Sequence, residues 1–144
     1  MSRFSSAAAV IGCGLLLSVA ACQRNERLEP VAGTVVFSDG QPVSGGVVEF
    51  DPLETGGRPA RGAIGPDGAF TLKSGAMTGA RAGRYRVAVV HVLVESGGRH
   101  GHAHRRVHPK FGRFATSGIV TEVTTGRTNA PRIVVEPAAS LTKP

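Results

Sequence analysis

Apolar and polar residues alternate with a period of two along much of this chain. In Ala69-Phe70-Thr71-Leu72-Lys73 the spacing sends Phe70 and Leu72 to one face and Thr71 and Lys73 to the other. Arg84-Tyr85-Arg86-Val87 repeats the pattern with Tyr85 and Val87 inward. Extended segments rich in Val and Thr are predicted over 31–38, 46–51, 60–64, 69–73, 84–94, 118–124 and 132–136. Between them stand tight-turn signals. Asp39-Gly40 is one, and Gly65-Pro66-Asp67-Gly68 puts Pro where φ near −65° is wanted and Gly where φ can be positive. No Gly-free window of about a dozen residues carries a 3.6-residue apolar stripe, so helix is a poor fit. The fold class expected is all-β: a seven-stranded antiparallel Greek-key β-sandwich. Its core would hold Val31, Val35, Phe37, Val48, Phe50, Ile64, Phe70, Leu72, Tyr85, Val87, Val89, Ile119, Val123, Ile133 and Val135. Strict alternation also points His91 inward, which requires a bulge, a strand exit or a hydrogen-bonded core position.

Length narrows the organisation. With 144 residues, 20 Gly and 9 Pro scattered singly, the chain has room for one ordinary domain and lacks a collagen-like period. Beyond the extreme N-terminus no uncharged run is long enough to span a bilayer. That N-terminus differs from the rest. Arg3 precedes an apolar stretch from Ala7 to Leu17, and small residues then lead into Cys22, the three-part build of a secretory signal. Ser18-Val19-Ala20-Ala21-Cys22 resembles the lipobox of bacterial lipoproteins, in which the Cys is acylated and becomes the mature N-terminus. Residues 1–21 are thus expected to be a lipoprotein signal peptide, and Cys22 the site of lipidation, palmitate included, with a polar tether up to residue 30. Cys13 would leave with the signal, so the mature chain could form no internal disulfide. Multiple acyl chains hold a protein on a membrane stably. A lipid anchor on the extracytoplasmic side of a bacterial envelope follows, with inner or outer membrane left open.

Several short blocks in residues 31–136 then carry a resemblance. Val31-Ala32-Gly33-Thr34-Val35, Asp39-Gly40-Gln41-Pro42-Val43, Gly46-Val47-Val48-Glu49-Phe50-Asp51-Pro52, Asp67-Gly68-Ala69-Phe70-Thr71-Leu72 and Gly83-Arg84-Tyr85-Arg86-Val87 occur in the order seen in transthyretin-like, carboxypeptidase-regulatory-like domains. Pro109-Lys110-Phe111 with Thr116-Ser117-Gly118-Ile119 resembles the variant of small planctomycete-type lipoproteins. The resemblance implies a prealbumin-like sandwich over residues 31–137, used as an extracytoplasmic binding, adhesion or scaffolding module without catalytic residues. The related hydroxyisourate hydrolases end in Tyr-Arg-Gly-Ser. This chain ends in a tail, 138–144, that closes Ser140-Leu141-Thr142-Lys143-Pro144, so that activity is not carried over.

The chain departs from the family pattern in a basic, His-rich insertion, 95–108. His100, His102 and His104 share one side of an extended backbone, and His104 with His108 would face together on a helix. Such imidazoles suit Zn²⁺ or Cu²⁺. Arg99, Arg105 and Arg106 oppose a cation and offer a site for polyanions instead, more so as the imidazoles protonate. The formal charge of +7, or +6 once Arg3 leaves with the signal, also draws on Arg58, Arg61, Arg81, Arg84 and Arg86. It suits anionic lipid heads, an envelope protein or an anionic glycan. Export and the lack of interleaved aromatics argue against nucleic acid. Gly-x-Ser-x-Gly, His-Glu-x-x-His and Walker signatures are missing, and Glu49 and Asp51 share a face only if their strand runs straight to Pro52. The sequence therefore reads as a non-enzymatic, lipid-anchored envelope protein that binds or scaffolds an unspecified ligand. It needs no cofactor, and its oligomeric state is unspecified. The alternative is a periplasmic metal-binding protein working through the His-rich loop.

Overall fold

The computed structural model describes residues 27–91 and 105–139. The alternation found in the sequence becomes nine strand segments: β1 (Ala32–Phe37), β2 (Val47–Pro52), β3 (Ala60–Ala63), β4 (Ala69–Thr71), β5 (Lys73–Ser74), β6 (Met77–Thr78), β7 (Gly83–Val90), β8 (Ile119–Val123) and β9 (Arg132–Val135). They form two sheets, β4-β1-β9 and β6-β5-β3-β2-β7-β8, stacked as an all-β sandwich. One 3₁₀ turn, Pro109–Gly112, and one helical turn, α1 (Phe114–Ser117), interrupt the β structure.

Each of the seven predicted segments coincides with strand over its described residues, positions 92–94 of the segment 84–94 lying outside them, but the count differs for a physical reason. The segment 69–73 divides between the sheets. Ala69–Thr71 pairs with β1, whereas Lys73 pairs with Arg61 of β3. Side chains keep alternating through the transfer, so Phe70, Leu72 and Ser74 are all buried. Gly62 permits the crossing, since a Cβ there would lie 2.6 Å from the Thr71 carbonyl oxygen. A short β5–β6 hairpin then follows, with the Ser74 hydroxyl donating to the Gly79 carbonyl at 2.9 Å. The pairing is antiparallel in every ladder except β1–β9, where the last strand runs alongside the first in parallel.

The core lies between the sheets. Fourteen of the fifteen residues expected there are buried, and Ile119 packs against them half-buried. Phe50 of the large sheet bridges the layers, with ring centroids 6.1 Å from Phe70 and 5.8 Å from Tyr85, both tilted. Val43, Val107 and Phe111 complete the cluster from outside the strands.

Two boundaries shift. Leu28 to Pro30 do not dangle as a tether. Glu29 exchanges backbone hydrogen bonds with Ala80, and its buried carboxylate accepts from the Gly126 N–H at 3.0 Å and pairs with Arg27 at 3.3 Å. The final part of the 95–108 insertion likewise belongs to the body. Val107 is buried and bridges to Pro137, while the Ala138 N–H donates to the Arg106 carbonyl, bringing the start of the tail into the same ladder.

Candidate functional site

The outward face of β2, β3 and β5 is set by the same alternation that builds the core. Val48, Phe50, Ala60, Gly62 and Leu72 point inward, so Glu49, Asp51, Arg61, Ala63 and Lys73 point away from it. Glu49 and Asp51 do share a face, because β2 runs straight to Pro52.

Across this face lie two hollows. The larger, about 1070 Å³, reaches from β2 and β3 over the sheet-switching segment onto β1, with small residues such as Ala32, Thr34, Ala63, Ala69, Thr71 and Ala130 along it. The smaller, about 350 Å³, is bounded by Asp51, Pro59 and the Phe114 ring of α1. Both are lined by Glu49, Arg61, Lys73 and Gly75, so they join into one trough with its charged residues at the junction. The trough exists because the strand 69–74 leaves one sheet for the other, which brings the outer surfaces of both sheets to a concave corner.

Its electrostatics differ from the rest of the face. Arg86 stands opposite Asp51 in the ladder and meets it at 2.5 Å, and Arg84 stands opposite Glu122. Arg61 lies between Glu49 on one side and Lys73 on the other. Like charges placed directly opposite across strands repel. Among the described residues, neither Arg61 nor Lys73 takes part in an ion pair. On this face Arg86 is thus matched to an acid, whereas Arg61 and Lys73 stand side by side in the trough with Glu49 as the one acidic register neighbour.

Of the residues singled out from sequence, Cys22, Arg99, His100, His102 and His104 lie outside the described residues. Arg105 forms an ion pair with Asp39 and sits 4.6 Å over the Phe37 ring. Its guanidinium holds the Asp39 carboxyl below its ordinary value, with the Gln41 N–H adding to the effect. Arg106 is exposed. His108 caps the 3₁₀ turn: its Nδ1 accepts from the Lys110 N–H at 3.2 Å, and the His108 backbone N–H donates to the Glu136 carbonyl at 2.9 Å. Lys110 Nζ reaches Glu136 at 2.6 Å and lowers the pKa of that carboxyl. The segment 105–111 is therefore a strap tied to the body by its own charges. Among the described residues no group of three potential metal ligands comes together.

His91 leaves the core by strand exit. β7 stops at Val90, and a ring nitrogen, Nε2, lies 3.1 Å from the Ser44 carbonyl. It lines none of the three hollows among the described residues. The third hollow, about 210 Å³, adjoins Glu54, Arg81 and Tyr85. There the Tyr85 hydroxyl donates to the Arg81 carbonyl at 2.8 Å, and burial raises its pKa.

Sequence reasoning did not find Phe114 or the pairing of Arg61 with Lys73. The first carried a faint signal, an apolar residue three positions after buried Phe111 in a segment without strand alternation. The second depends on a register set only when strand 69–74 changes sheets. Comparison with family models, with curated proteins and with solved structures gives no match for this chain.

Proposed function

We propose that this chain is a non-enzymatic, lipid-anchored binding module of a bacterial envelope, held to the membrane through Cys22 and recognising its ligand in the trough. The observation that carries the binding half is the junction of the two hollows at Glu49, Arg61 and Lys73, where two cations, in no ion pair among the described residues, stand side by side on an accessible concave surface. Ligand sites are concave, with few polar groups placed on an otherwise small or apolar wall. The anchoring half rests on the apolar run ending in Ser18-Val19-Ala20-Ala21-Cys22. Glu29, seven positions after Cys22, is already tied to the body by its bonds to Ala80. The resemblance to transthyretin-like, carboxypeptidase-regulatory-like domains is consistent with the all-β sandwich and supports a module that holds rather than converts its ligand.

Two measurements test the two halves. Labelled palmitate should enter the full chain and be lost in Cys22→Ser; incorporation that persists in the variant refutes the anchor. Affinity purification from envelope extract should recover the same partners with wild type and with a Val134→Lys variant on the small sheet's outer face, and lose them with Ala63→Trp, which fills the trough. Equal recovery with Ala63→Trp would place recognition elsewhere.

A further inference from the structure

The trough's walls restrict what it can hold. Its small residues let a main chain approach closely, and the exposed Thr34 and Thr71 can offer hydroxyls to peptide groups. At the junction Arg61 and Lys73 are direct cross-strand neighbours, so a single carboxylate can lie between them and relieve their repulsion. Glu49, across the ladder from Arg61, leaves the junction one positive charge in excess and penalises a second acidic group nearby. Beyond the junction, Phe114 and Pro59 offer an apolar surface for one side chain. Phe50 and Phe70 also border the trough but are buried, so no run of open rings exists for stacking sugar rings or bases.

Resting on the binding-module reading above, we propose that the trough takes an extended peptide segment. One carboxylate side chain lies between Arg61 and Lys73, an apolar side chain close by in sequence rests on Phe114, and an Ala- and Thr-rich stretch lies along the small-residue floor. What sets these two cations apart is their placement: they are direct cross-strand neighbours inside a concave surface, and among the described residues neither is held in an ion pair that a ligand carboxylate would have to displace.

The test uses full-length protein in detergent and fluorescence anisotropy with dye-labelled octapeptides of Ala and Thr carrying one Phe and one Glu two residues apart, in either order. At least one order should bind. Its affinity should fall about tenfold or more when Glu becomes Gln and in Arg61→Ala/Lys73→Ala, the scale of losing a charge-assisted contact. Ala63→Leu, which narrows the trough without changing charge, should also weaken it, whereas Arg132→Ala should not. Unchanged thermal melting would show that the variants fold. Oligogalacturonate serves as the second probe. If it binds through Arg61 and Lys73 while neither peptide does, the occupant class is overturned and the trough remains a binding site. If neither probe responds to the trough variants, the peptide inference is overturned. Should envelope recovery also be insensitive to Ala63→Trp, the binding-module reading falls with it.

Discussion

Single side chains show how the layers are held. Leu72 is fully buried at the point where the chain passes between sheets, so Leu72→Ala removes contacts from both and should cost about 2–5 kcal/mol in denaturant unfolding. Tyr85 is the chain's single tyrosine, which makes it its own probe. Burial raises its pKa above the ordinary 10.0, so the neutral phenol is the form that the fold favours. That contribution is complete below pH 10.0 and disappears as pH rises through the higher folded value. Ultraviolet titration should show phenolate appearing above pH 10.0, coincident with a loss of stability that Tyr85→Phe abolishes. The same variant should cost about 1 kcal/mol at neutral pH through the lost bond to the Arg81 carbonyl. Gly68 has φ +79°, and a Cβ there would come 2.5 Å from the Val35 carbonyl oxygen, so Gly68→Ala strains the turn and the strand beside it together. At this scale the sequence is a good guide. Phe70, Leu72, Tyr85 and Val87 face inward as their period of two requires, and the Gly65 to Gly68 turn follows its residue chemistry. His91 was ambiguous because alternation says nothing about where a strand stops.

Elements were less legible where their partners are distant. Arg105 belongs to a stretch whose composition reads as a solvated basic loop, yet it is matched to Asp39, 66 positions away in sequence, and covers Phe37. Nothing local announces that pairing, nor does it for Lys110 and Glu136. Both acids are held below their ordinary values of 3.8 and 4.5, chiefly by hydrogen bonds from Arg105 and Lys110. The strap's attachment is therefore complete above those values and is lost as pH falls below them through the depressed folded values. Amide hydrogen exchange of residues 105–111 should accelerate toward pH 3 relative to β2 and β7. Asp39→Asn should flatten that dependence while leaving the β2–β7 ladder protected. High salt should act in the same direction on these exposed pairs, and protection that ignores both pH and salt would show that the strap is held by Val107 and Phe111 alone.

At the level of the whole molecule, function is assigned to geometry that no single element possesses. The trough arises from a strand shared by two sheets, a glycine that lets them touch, and a helical turn that brings Phe114 to its rim. The sequence contained the residues but not their register: it counted Arg61 among the basic residues of the surface, and only the pairing of 69–74 with β3 sets Arg61 beside Lys73. The account's central claim is that recognition happens on this face. Photo-crosslinking in the intact cell tests it most directly, with a photoreactive residue placed at Ala63 in the trough or at Val134 on the small sheet's outer face, where the native side chain is 49% exposed. The account predicts a discrete adduct from position 63 that weakens when Arg61 and Lys73 are both replaced by Ala, and none from position 134. Equal labelling from the two positions, or an adduct at 63 indifferent to those two cations, would contradict it.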